Sequence, residues 1–375
     1  MTLGLAGEGR GAAAAARARA LRRESARPGW RRTKIGSGVL VCLGAVLVGC
    51  LVGPAGLGVG GVLLELLDAV PGVEVDSGLS VTQQAIFWEI RLPRVVLGVL
   101  VGAMLAAAGT AYQGVFRNPL ADPYLLGVSS GAGLGATIGI VAGGGLGPLG
   151  IPPLAFVGGL LGVAATYALG STVGGNRGAV VIILAGVAVG SFFNAIQNFV
   201  QQQYDDSLLS VYSWMLGRLS TDGWSDVVVA LPYVVVSCAA ILVHRRVLDV
   251  MAVGDVEAAS LGVDPARARL VLVLTATLGT AAVVSVSGLI GFVGIVVPHA
   301  VRLMFGAGHR TLLPLALLLG AAFLVLADVV ARTALAPVEV PIGVVTALVG
   351  APFFLVVLRR HKGALLISTT PGESR

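Results

Sequence analysis

Unbroken apolar runs dominate the chain, in place of the strict alternation of a half-buried strand or the one-sided stripe of a soluble helix. They fall at about residues 37–57, 93–115, 124–143, 153–171, 179–199, 227–243, 268–286, 289–304, 311–331 and 341–358. Each is close to the ~20 residues a helix needs to cross a bilayer, so the pattern predicts about ten membrane-spanning helices joined mostly by short loops. The eighth run is short, and the seventh runs nearly into it through Ser285, Ser287, Gly288 and Gly291. Glycine-rich backbone survives at membrane depth only where protein or water satisfies its polar groups. A broken or re-entrant helix is therefore expected over 285–298.

Composition agrees with this pattern. Of 375 residues, 56% are hydrophobic and only 12% charged, with 54 glycines, whereas a soluble domain carries about 25% charged residues. The longest stretches outside the runs, 58–92, 200–226 and 244–267, fall short of the ~50 residues of an independent core. Soluble functions must come from partners. Three segments result: a basic cytosolic tail over 1–36 expected to be disordered, a transmembrane domain over 37–360, and a short cytosolic tail over 361–375. Cys42, Cys50 and Cys238 all lie inside long apolar runs without metal-ligand spacing and read as small buried hydrophobes.

Charge then sets sidedness. With the first tail inside, 21 of the 25 basic residues fall on the inner side, leaving Arg91, Arg94, Arg218 and Arg332 outside among mostly acidic neighbours. An even number of spans with both termini in the cytosol satisfies the positive-inside bias. The formal net charge of +6 thus marks membrane orientation and not nucleic-acid binding.

Several motifs carry chemistry. Gly98, Gly102, Ala106 and Gly109 line one face of the second span, as close helix packing requires, and Gln113 continues the stripe. An amide at that depth needs a partner or a water-lined cavity, so Gln113 is a candidate for the solute path. In the following loop, Pro119 and Pro123 force an extended turn that Asn118 can fix by a local bond. After the sixth span, Asp255 is placed to cap a short helix with Glu257 in its first turn, and Gly262 to end it in the left-handed conformation. Such a compact helix suits a groove on a partner.

Taken in order, Arg91-Leu92-Pro93-Arg94, Arg117-Asn118-Pro119-Leu120-Ala121, Leu126-Gly127-Val128-Ser129 and Ser213-Trp214-Met215-Leu216-Gly217 resemble the signature of the FecCD family. The likeness runs on through Gly254-Asp255-Val256-Glu257-Ala258-Ala259-Ser260-Leu261-Gly262, Gly291-Phe292-Val293-Gly294, Pro298-His299-Ala300-Val301-Arg302, Ala327-Asp328 with Ala331-Arg332, and Gly350-Ala351-Pro352-Phe353-Phe354, and covers about residues 38–360. The family comprises membrane permeases of ATP-binding-cassette (ABC) importers for iron–siderophores, haem and cobalamin. The resemblance implies an all-α polytopic fold of the cobalamin-permease (type II importer) kind in the inner, cytoplasmic membrane. It implies a pair of ATP-binding subunits, a periplasmic or lipid-anchored solute-binding protein, and a second permease subunit, identical or not, with ferric siderophore as the leading cargo.

By residue, the resemblance implies that segment 249–267, with Asp255, Glu257, Ala258, Leu261 and Gly262, contacts the ATPase. Arg91, Arg94 and Arg332 would pair with glutamates of the binding protein at an exposed outer site. Gly102, Gly109, Gln113, Asn118, Leu120 and Ser129 are assigned to the path and its cytoplasmic gate, with a second gate near Gly178 and Ala179. No cofactor, metal or catalytic residue is expected.

Competing signals are weaker. Gly56-Leu57-Gly58-Val59-Gly60-Gly61 fits a dinucleotide fingerprint but lacks any βαβ context, and the only lysines, Lys34 and Lys362, do not follow a glycine as a P-loop demands. Gly127-Val128-Ser129-Ser130-Gly131 raises an intramembrane serine protease with His244 or His299 as base. An ion-coupled secondary transporter is the other alternative, though Asp328 is nearly alone as a carboxylate within the spans.

Overall fold

The computed structural model describes residues 28–143, 150–174, 178–220 and 223–366. Every expected run becomes a helix: α1 (Pro28–Leu51), α4 (Leu92–Phe116), α5 (Val128–Val141), α6 (Ile151–Gly174), α7 (Gly178–Gln203), α9 (Ser225–Val243), α12 (Pro265–Ser287), α13 (Val293–Phe305), α14 (His309–Thr333) and α15 (Ile342–Leu366). Seven are long and apolar enough to cross a membrane, while α5, α13 and the apolar part of α15 are shorter. Short helices fill the loops: α2 (Val59–Asp68) and α3 (Val81–Ala85) before α4, α8 (Leu208–Met215) after α7, and α10 (Arg245–Met251) and α11 (Asp255–Ser260) before α12.

The element ends follow local chemistry. A π-helical stretch over Ile86–Arg91 joins α3 to α4 in one continuous helix, and the Trp88 carbonyl, five residues before Pro93, which has no amide to offer, accepts from the Trp224 indole at 3.1 Å. Helix α4 stops at Arg117, which adopts a left-handed φ of 50° before the Asn118–Pro119 turn. Asp264 caps α12 through the amides of Ala266 and Arg267, with Pro265 beginning the helix.

Helix α4 forms the centre of the bundle, packed against α14, α12, α13 and α9, while α1 lies on α14. Close approach here depends on glycine. A Cβ on Gly102 would run into the backbone oxygen of Gly320 in α14, and one on Gly109 into that of Gly294 in α13. The α5–α6 hairpin is built the same way, with Gly131 against Gly158 and Gly135 against Leu154. Two boundaries shift from the sequence reading. Residues 28–36, expected in the tail, extend α1, and α15 continues to Leu366; residues 1–27 and 367–375 lie outside the described residues.

Candidate functional site

The broken helix organises the site. Helix α12 ends at Ser287, Gly288 turns with φ of 69°, Phe292 does so with the same φ, and α13 begins at Val293. Five intervening residues leave backbone groups that lipid cannot satisfy. The chain itself supplies the partners. The Tyr124 hydroxyl accepts from the Ile290 amide and donates to the Ile290 carbonyl, both at 3.1 Å, and the Arg218 amide donates to the Ser287 carbonyl at 2.8 Å. The seam of α4 closes the far side, where Gln113 Nε2 donates to the Gly294 carbonyl at 3.0 Å and Arg302 donates to Gln113 Oε1 at 3.1 Å.

Gln113 is therefore buried with both ends of its amide engaged, and within one chain it clasps α13 instead of facing open space. Gly102 and Gly109 are packing positions for the same reason of close approach. Asn118 does fix its turn, accepting from the Leu120 amide at 2.9 Å, and Leu120 is exposed. Ser129 is half-buried in the first turn of α5, next to Ser130, whose hydroxyl donates to the Gly127 carbonyl. Of the two bases the protease reading would need, His244 bonds its own helix at Ala240 and the His299 ring packs edge-on against Phe353. The side chains of Gly178 and Ala179 lie outside the described residues.

At the opposite end, α10 and α11 are tied to three spans. Asp249 accepts from the His309 amide at 2.7 Å and faces its ring at 2.9 Å; burial alone would raise the Asp249 carboxyl, but these bonds outweigh it and hold it below its ordinary value. Asp255 does not cap α11, because Gly254, with φ of 147°, occupies that place. The carboxylate reaches Arg269 of α12 at 3.0 Å and Arg117 at the end of α4 at 3.4 Å. Gly262 ends the helix with φ of 83°, and the Val263 amide bonds back to Ala258, as a left-handed terminus requires. Ala258 is buried, whereas Glu257 is exposed and Val256 and Leu261 stand 80% and 66% exposed.

The arginines expected on the outer side differ most from expectation. Arg91, Arg94 and Arg332 are only 3%, 8% and 3% exposed. Arg91 donates to the carbonyls of Cys50 and Ala55 at 3.2 and 2.7 Å, and Arg332 to that of Gly49 at 2.6 Å. Arg94 grips Asp328 of α14 and Glu339 of the following loop, each at 2.8 Å. A guanidinium at a span end costs too much to leave unpaired, and this chain meets that need from its own carbonyls and carboxylates.

One feature escaped the sequence reading. Ser191, Asn194 and Asn198 share one exposed face of α7, beside a second exposed edge bearing Phe192 and Phe199. Their spacing of three and four residues was the available signal. Amides at membrane depth do not face lipid without cost.

Comparison with known proteins agrees with this architecture. The cobalamin import system permease of Halobacterium salinarum is 43% identical over 80% of this chain and 80% of its own length. The hemin transport system permease of Yersinia pestis is 42% identical over 74% of this chain and 84% of its own. Among solved structures, an inward-facing conformation of a metal-chelate type ABC transporter matches with a TM-score of 0.75 and 29% identity, covering 87% of this chain and 98% of that one. Residues 40–360 match the FecCD transport family, and the chain belongs to that family.

Proposed function

We propose that the chain is the permease subunit of an ABC importer that carries ferric siderophores across the cytoplasmic membrane. It works as a two-fold pair with a second permease subunit, with both termini in the cytosol. The observation that carries this reading is the inner loop: exposed Val256 and Leu261 offer an apolar contact while Asp249 and Asp255 bind that loop to α4, α12 and α14. A force applied there by an ATPase subunit reaches the gate turn at Asn118 and Leu120 through the end of α4. Alternating access then consists of a shift between two packings of the bundle, driven by ATP.

On this reading the exposed polar face of α7, Ser191, Asn194 and Asn198, lines a water-filled path between two permease subunits, together with the broken helix. The binding protein delivers cargo on the outer side. There Glu339, 45% exposed at its side chain, is the partner of Arg94 that a docking carboxylate would replace. Similarity to hemin, cobalamin and metal-chelate transporters supports the cargo class. The test is uptake by the complete transporter with its binding protein, offered a radiolabelled ferric siderophore in competition with hemin or cobalamin. Ferric siderophore uptake unaffected by the other two supports the reading, and uptake of hemin or cobalamin alone overturns it.

A further inference from the structure

Arg218 behaves unlike the other outer arginines. Its backbone is fixed above the broken helix: its amide bonds Ser287, the Gly343 amide bonds the Leu216 carbonyl at 3.0 Å, and its neighbour Leu219 and nearby Trp214 are buried. Gly217, with φ of 75°, turns the chain so that the Arg218 side chain is exposed. Two cavities open beside it. One of about 530 Å³ is lined by Ile151, Leu209, Ser210, Ser213, Trp214 and Arg218, among others. The other, of about 220 Å³, shares Ser213 and Arg218 and adds Arg94 and Glu339.

Charge is unevenly balanced across the pair of cavities. Arg94 and Arg332 with Asp328 and Glu339 form a cluster of two cations and two carboxylates, whose formal charges cancel. Among the described residues no other charged side chain lines either cavity, so Arg218 contributes the net positive charge. The larger space falls within the ~300–1,000 Å³ of small-molecule sites, and its apolar wall, indole and few hydroxyls match their composition.

We propose that this double cavity is an outer entry subsite for anionic ferric chelates, in which the Arg218 guanidinium pairs with a carboxylate of the cargo and the Ser210 and Ser213 hydroxyls bond its remaining oxygens. A guanidinium binds a carboxylate through two parallel hydrogen bonds, which a neutral chelate cannot offer. The recess favours a small anion over a carboxylate carried on a docking protein. The inference rests on the importer reading and names the substrate charge that the chain selects.

Trp214 provides a reporter in the cavity wall. The purified chain in lipid nanodiscs would be titrated with ferric citrate and with a neutral ferric trihydroxamate while its tryptophan fluorescence is followed. Ferric citrate should quench saturably, Arg218→Ala should raise the half-saturating concentration at least tenfold, Arg218→Lys should restore part of the affinity, and Trp214→Phe should remove the signal. The neutral chelate should not distinguish wild type from Arg218→Ala. Equal ferric citrate affinity in wild type and Arg218→Ala overturns the proposal, as does equal loss of both chelates. It also falls if Arg218→Ala spares ferric citrate while weakening attachment of the binding protein. Because this binding needs no ATPase, failure of the importer reading would appear separately, as absent ATP-driven uptake with chelate binding intact.

Discussion

Arg94 holds two carboxylates from distant parts of the chain, one nearly inaccessible and one half in solvent. Removing Asp328 would leave the Arg94 and Arg332 guanidinium groups crowded and partly unpaired. Breaking a buried pair in this way costs about 3–5 kcal/mol, and Asp328→Ala should show a loss of that order in detergent unfolding curves. Glu339 is the milder partner. The hydrogen bond from Arg94 outweighs burial and holds the Glu339 carboxyl below its ordinary value. Its contribution is therefore complete above the unfolded value of about 4.3 and is lost as pH falls through the lowered folded value. Exposure keeps the effect small. Between pH 6 and 3, Glu339→Gln should melt with a shallower pH dependence than the wild type. Gly102 tests the packing seam: with Gly320 of α14 filling the space beside it, Gly102→Leu should reach the membrane and yet transport nothing, and normal transport by that variant would refute the seam. The glycine stripe was legible from spacing alone, but the burial of Arg91, Arg94 and Arg332 was not. Asp328 and Glu339 lie 234 and 245 residues from Arg94, and no local pattern announces such partners.

At the level of elements, α11 shows where local rules gave way to tertiary charge. Asp255 at the start of a short helix reads as a cap, yet Gly254 takes that place and the carboxylate turns to Arg117 and Arg269. Competition decided it, since two guanidinium groups offer more than one backbone amide. The helix thus has an inner anchor and an outer apolar contact, and mutations should separate them. Leu261→Asp should abolish co-purification of the ATPase subunits with the permease. Asp255→Asn should leave them bound while lowering the solute moved per ATP hydrolysed; retention of ATPase by Leu261→Asp would remove α11 from the interface. The broken helix was legible because its glycines crowd a membrane-depth segment. Tyr124, which satisfies Ile290, was not, because the need arises only once α12 and α13 stand beside the turn after α4.

On the scale of the molecule, the bundle was readable almost entirely from apolar run lengths, since each run had one energetically acceptable conformation in lipid. What the runs could not convey was which faces meet. The exposed amides Asn194 and Asn198 on α7 suit a path shared with a second subunit, and the charged groups gather at the two ends of the helices. Among the described residues the buried carboxylates are Glu65, Asp122 and Asp328, of which Asp328 is paired with Arg94 and Asp122 lies in the turn after α4 beside Gly294 of α13. The proposed entry point for energy is the loop that carries α10 and α11. The decisive measurement compares ferric siderophore accumulation in vesicles holding the permease alone, under an imposed proton or sodium gradient, with vesicles that also hold the ATPase subunits, ATP and the binding protein. Uphill accumulation only in the complete, ATP-supplied system is the predicted result, and sustained accumulation by the permease alone under an ion gradient would contradict it.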